Sequence, residues 1–204
     1  MEVTKGFIFY PGGAELKNKA VEVVFIFKDY GAMIPMYFIN KYYKNYKIVH
    51  VAYAAISDIE LYKFGMAIRK SAENLNKKIV FIASGDISHR LNKDGPYEYS
   101  PEGKKFDKWL LESLQKGDVL GVFNMDKHMV ECAGECGLRS VFIMLGAMEG
   151  KEINGKLLSY ESPFGVGYGV MAFNNELKNH SNLEELINMK KQLYNNKILY
   201  HNET

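Results

Sequence analysis

The chain has 204 residues, 47% of them hydrophobic and 25% charged, which suits one domain with a sizeable core. Its 26 basic and 24 acidic residues leave a net charge of +2, so no global field directs it to nucleic acid or to an anionic membrane surface. Its apolar runs are far too short to span a bilayer, and Met-Glu-Val-Thr-Lys does not open a secretory signal, so a cytoplasmic protein is expected.

Residues 21–28 and 47–53, rich in Val, Ile, Phe and Tyr, predict strands. Between them, Pro35 is expected in the first turn of a short helix reaching Tyr43. Ser57-Asp58-Ile59-Glu60 is a capping-box pattern and predicts a helix to about Asn76. Ile59, Tyr62, Phe64, Met66 and Ile68 supply most of its apolar positions. A strand over 78–83 follows directly, and Asp94-Gly95-Pro96 marks a turn. Ser100-Pro101-Glu102 then opens a helix with a serine cap, a first-turn proline and an early acid. Phe106, Trp109, Leu110 and Leu114 form its expected buried stripe, and Gly117 ends it.

The two cysteines, Cys132 and Cys136, stand four apart and would share a face if their segment is helical. A reduced protein is the simpler reading, since a zinc site needs more ligands and His128 is the only other candidate nearby. Another helix is expected over about 137–149, stopping at Gly150. Residues 157–160 and 167–173 read as closing strands, with Gly165, Gly167 and Gly169 marking close backbone approach rather than a phosphate cradle. After Asn174 the chain reads as an amphipathic helix carrying Leu183, Leu186, Ile187, Met189 and Leu193, packed loosely or used between subunits.

This alternation predicts an α/β fold: a mixed, largely parallel central sheet flanked by helices on both faces, over residues 1–174, with a helical tail over 175–204. Within it, Ile79-Val80-Phe81-Ile82-Ala83 stops at Ser84-Gly85, and Asp86-Ile87-Ser88-His89 follows at once. At the end of a parallel strand these residues would face the crevice where ligands bind. His89 is the candidate acid–base group, because imidazole titrates near neutrality. Asp86 either orients His89 or caps the following turn. Ser84 and Gly85 are candidates for the substrate side, and neither Ser84 nor Ser88 is spaced as a nucleophile with His89. His128, His180 and His201 read as surface residues.

Several motifs in order resemble the class III extradiol dioxygenases named for their LigB catalytic subunit, in the branch related to AmmeMemoRadiSam and Memo proteins. They are Asp29-Tyr30-Gly31-Ala32-Met33-Ile34-Pro35-Met36-Tyr37-Phe38, Ser84-Gly85-Asp86-Ile87-Ser88-His89-Arg90-Leu91, Tyr99-Ser100-Pro101-Glu102-Gly103, Ala133-Gly134-Glu135-Cys136-Gly137-Leu138-Arg139-Ser140, and Ser159-Tyr160-Glu161-Ser162-Pro163-Phe164-Gly165-Val166-Gly167-Tyr168. The resemblance implies Fe(II) held by two histidines and a carboxylate, a small catecholic substrate, and an acid–base histidine that moves protons as the ring opens. It puts His89 at the acid–base position and Glu135 at the carboxylate ligand. Cys136 is the rival there, because a cysteine joins the metal site in Memo-like relatives. Tyr30 takes the place of the histidine in the family's Asp-His-Gly motif, as a substrate-facing hydrogen-bond donor near Pro35; with a pKa near ~10 it is a poor base at neutral pH.

The family's two iron-binding histidines, in Pro-His-Pro-like and Ser-Pro-His-like motifs, have no counterpart here. Before His89 the sequence contains only His50, in the expected strand 47–53. The resemblance therefore covers the C-terminal two-thirds of the family domain. It implies a dioxygenase completed by a separately encoded N-terminal half, or a non-catalytic Memo-like binding or scaffold protein that keeps the pocket but has lost the metal. A metal-independent hydrolase or isomerase using His89 and Asp86 is a third reading. Apolar surface left by a missing partner also predicts a homo-oligomer or pairing with that half.

Overall fold

The structure, a computed structural model, describes the backbone of residues 30–52, 55–177 and 181–202. It divides into two compact units, residues 1–55 and 56–204. In the first unit, α1 (Tyr30–Ile39) holds Pro35 in its interior rather than in its first turn. It ends before Tyr43, in turns closed by bonds such as Tyr43 N–H to the Ile39 carbonyl at 2.9 Å. Beyond it, Tyr43 and Tyr46 stack at 6.2 Å, and Lys41 lies over the Tyr37 ring. The expected strand 21–28 lies outside the described residues, and residues 47–52 form no strand among the described residues.

The second unit begins with α2 (Asp58–Asn74), and Ser57 caps it by accepting the Glu60 N–H at 3.3 Å. Residues 78–83, expected as a strand, carry no ladder among the described residues. Val80 is 89% exposed there. A parallel strand exists only through its neighbours, and the expected strand 21–28 is not among the described residues. The large parallel sheet is therefore not shown.

Next come α3 (Pro101–Lys116), α4 (Val119–Phe123), α5 (Lys127–Ala133) and α6 (Leu138–Ala147). Ser100 caps α3, and Gly117, in a left-handed conformation, ends it as its position predicts. The buried face of α3 is Gly103, Phe106, Asp107, Leu110, Leu111 and Leu114. Trp109 is half exposed instead, on the flank, where its indole N–H reaches the Gly121 carbonyl at 3.4 Å.

The sheet among the described residues is one antiparallel pair, β1 (Lys151–Glu161) with β2 (Tyr168–Leu177), broken by an irregularity between Leu157 and Ser159. The closing strands are thus present but longer than expected. Helix α7 (Asn182–Asn202) follows. Its Leu186 is fully buried, whereas Leu193 is exposed. Tyr62, Phe106, Val122, Leu145 and Leu186 form the centre of the second unit's core. Among the described residues no helix is long and apolar enough to cross a membrane.

Candidate functional site

Residues 86–91 are held by three segments of the second unit. Gly167 accepts the Ile87 N–H at 2.8 Å and donates to the Ser88 carbonyl at 2.7 Å. Leu91 N–H reaches the Gly165 carbonyl at 3.0 Å. On the other side, the Ala133 carbonyl accepts both the His89 N–H at 3.1 Å and the Ser88 hydroxyl at 2.9 Å. Ala133 is the last residue of α5, and Gly134 turns the chain from there towards Glu135 and Cys136. From below, the Asp107 carboxylate on α3 accepts the Ser88 N–H at 2.8 Å.

Two glycines bring the Ser84–Asp86 and Glu135–Gly137 stretches into backbone contact. A β-carbon on Gly85 would lie 2.4 Å from the Gly137 Cα, a separation no side chain could occupy. The closeness delivers Cys136 to Asp86: the Asp86 N–H points at the Cys136 sulfur at 3.2 Å, and the Cys136 N–H at the Asp86 carbonyl at 3.4 Å. One ligand atom each from Asp86, His89 and Cys136 then lie within 4.8 Å of one another.

The His89 side chain is 18% exposed, and its Nε2 is 3.6 Å from Asp86 Oδ2, too far for a hydrogen bond. That buried nitrogen has no hydrogen-bond partner among the described residues. Leaving it so costs about 1–3 kcal/mol, which a bound ion or a substrate atom would recover. The ring stacks on Tyr97 at 5.0 Å. Burial pushes the Cys136 thiol up, and the nearby Asp86 and Glu135 carboxylates add to it. A cation between these groups would reverse that and favour the thiolate.

Glu135 is occupied differently. Its carboxylate accepts the Leu138 N–H at 2.5 Å, at the start of α6, and it stands outside the three-donor cluster. Burial raises its pKa. The Ser84 carbonyl accepts the Ser140 hydroxyl at 3.0 Å, which ties the preceding loop to α6. Tyr30 and Pro35 belong to the first unit, described by itself, and the Tyr30 side chain lies outside the described residues. The cysteines do not share a helix face: Cys132 is on α5, 3.6 Å from His128, while Cys136 lies beyond that helix beside Asp86. His128 is exposed as expected; His180 and the His201 side chain lie outside the described residues.

Two further residues of this neighbourhood carry no motif, Asp107 and Tyr97, while Tyr168 closes the last of the family motifs and was given no role there. The Tyr168 phenol is pushed up, by partial burial and then by Asp86, Tyr97 and Cys136. Asp107 sits three and four residues before Leu110 and Leu111, on the helical face that α3 buries.

Residues 14–171 match the family described as the catalytic LigB subunit of aromatic ring-opening dioxygenase. The chain is 59% identical over 175 residues to Protein CA_C1420 of Clostridium acetobutylicum, covering 84% of this chain and 37% of that protein. It is 26% identical over 153 residues to the 3,4-dihydroxyphenylacetate 2,3-dioxygenase of Escherichia coli, covering 71% of this chain and 55% of that enzyme. The chain therefore spans little more than a third of the first relative and about half of the second.

Proposed function

This chain belongs to the family of the LigB catalytic subunit of aromatic ring-opening dioxygenases, and from that premise we propose that it takes part in Fe(II)-dependent extradiol cleavage of a small catecholic substrate. The observation that carries the proposal is the convergence of Asp86, His89 and Cys136 around a buried, unpartnered imidazole nitrogen. An imidazole, a carboxylate and a thiol are a donor set that fits a first-row divalent ion. The 3,4-dihydroxyphenylacetate acted on by the Escherichia coli relative is the substrate class this reading takes as its probe.

In this reading Cys136 and Asp86 are the chain's own ligands, in preference to Glu135, whose carboxylate serves the start of α6. When bound, the ion supplies the redox capacity that dioxygen insertion requires. The Nε2 of His89 exchanges a proton with the catechol hydroxyl, and Asp86 stabilises the imidazolium so formed. The exposed face of Tyr97 and the Tyr168 phenol border the same space on the substrate side. No Pro-His-Pro or Ser-Pro-His motif occurs in these 204 residues, so in this reading the imidazole ligands would be supplied by a separately encoded half. Ser84 and Gly85 keep their assignment to the substrate side, and Tyr30 and Pro35 carry theirs from the family resemblance alone.

A second reading, distinct from the metal-free Memo-like scaffold, makes the protein a non-catalytic metal binder in which His89 is itself the third ligand. The 4.8 Å spread of the three donor atoms favours it. Anaerobic loading with Fe(II) in the presence of the completing N-terminal half, followed by 3,4-dihydroxyphenylacetate and dioxygen, separates the two. The catalytic reading expects oxygen uptake and a ring-opened product, with His89→Ala losing about 10²-fold or more in turnover while keeping its metal. Absence of turnover, with His89→Ala losing the metal, would establish the second reading instead.

A further inference from the structure

We propose that Asp107 is a positioning residue: together with the Tyr160 hydroxyl it fixes the Ser88 turn and so sets where His89 and Asp86 stand relative to Cys136. The inference rests on the reading of Asp86, His89 and Cys136 as the site.

Asp107 is 1% exposed, on the buried face of α3 between Phe106 and Leu110. Its Oδ1 accepts the Ser88 N–H at 2.8 Å, and its Oδ2 accepts the Tyr160 hydroxyl at 2.6 Å. These donors are neutral, so the carboxylate is buried without a hydrogen-bonded cation to offset its desolvation. A core position that only needed filling would hold an apolar residue at lower cost. What the carboxylate adds is two directed acceptors on one rigid plane, aimed at the backbone just before His89 and at β1.

The surrounding chain is built to admit it. A β-carbon on Gly167 would lie 2.2 Å from Asp107 Oδ2, so the segment leading into β2 gives up a side chain exactly opposite the carboxylate's outer oxygen. Gly167 also bonds the backbone of Ile87 and Ser88, while Ala133 holds the Ser88 hydroxyl and the His89 N–H. The Ser88 turn is thus clamped by backbone groups on two sides and by one side chain from another element, Asp107. Substitution can remove that one clamp without altering the others.

The test compares Asp107→Ala with Asp107→Asn, whose amide can still accept from Ser88 and bond Tyr160, and with Leu114→Ala, a buried change two turns along the same helix. The metal-free readouts are the His89 imidazole resonances and the exchange rate of the Ser88 amide, both by NMR. Asp107→Ala is expected to shift the His89 ring signals and to speed Ser88 exchange by about tenfold or more, the order expected for one lost buried hydrogen bond. Asp107→Asn should restore both, and Leu114→Ala should leave both at wild-type values. His89 signals unchanged in Asp107→Ala, or moved equally by Leu114→Ala, would overturn the inference. Should Asp107→Ala fail to fold, Tyr160→Phe gives the same comparison, with unchanged signals again overturning it. Co(II) binding is measured alongside: wild type that takes no Co(II) while Asp107→Ala still shifts His89 would sink the metal reading and leave the positioning role standing.

Discussion

Asp107 is buried as an acid, and its ionisation works against the fold. Burial pushes its carboxyl above the usual carboxylate range, opposed by the Tyr160 hydroxyl, the Ser88 N–H and the field of His89. Because the folded pKa lies above the unfolded one, folding favours the protonated form. That contribution is complete below the unfolded value near about 4 and is lost as pH rises through the folded value. Urea unfolding of wild type and Asp107→Asn from pH 4 to 7 should therefore show the Asn protein gaining relative stability as pH rises, by about 1.4 kcal/mol for each unit the carboxyl is raised. A difference that stays flat across that range would contradict the assignment. Asp107 was hard to read because Phe106, Leu110 and Leu114 leave either flank of α3 free to be buried. Hydrophobicity favours the flank of Trp109, but the helix buries the flank of Gly103, Asp107 and Leu111. The choice between Glu135 and Cys136 was equally closed to sequence, since adjacent residues leave a turn in different directions and only the Gly85–Gly137 contact shows which one meets Asp86.

Elements defined by local chemistry were legible, and those defined by distant partners were not. Ser57, Ser100 and Gly117 mark helix ends where they were expected, because a cap bonds within its own turn. Helices α4 and α5 span 5 and 7 residues, too short for a 3.6-residue period to register. Residues 78–83 have strand composition, but a strand is made by its ladder. The attachment of α7 is likewise non-local. Glu149, just past α6 and buried, accepts the Ser181 hydroxyl at 2.9 Å and the Leu183 N–H at 3.2 Å, and it also accepts the Tyr62 hydroxyl from α2. An acid from another element thus caps the first turn of α7, and Leu186 is buried one turn on. Glu149→Ala leaves these donors without their acceptor and should cost about 2–4 kcal/mol. Hydrogen exchange should show α7 amides opening before the amides of α3; uniform exchange in both helices would argue against this anchoring.

At the scale of the whole molecule, family membership was legible because its motifs are contiguous runs, whereas completeness of the site was not. Among the described residues one imidazole, one carboxylate and one thiol converge, and the chain spans 37% and 55% of the two relatives compared. Ile79, Val80 and Ile82 are all exposed, the kind of apolar surface on which the expected homo-oligomer would rest. Light scattering of the isolated chain should give a mass above 23.3 kDa, and Val80→Asp should return it towards that value; a wild-type monomer would count against self-pairing. The central claim, that Asp86 and Cys136 hold an ion beside the His89 imidazole, is tested most directly by anaerobic Co(II) titration followed in the near-ultraviolet and visible. The account predicts stoichiometric binding with a thiolate-to-cobalt charge-transfer band that Cys136→Ser abolishes, an affinity about 10-fold or more lower in Asp86→Ala, and both retained in Glu135→Ala. Binding without the thiolate band, or lost in Glu135→Ala and kept in Cys136→Ser, would contradict it.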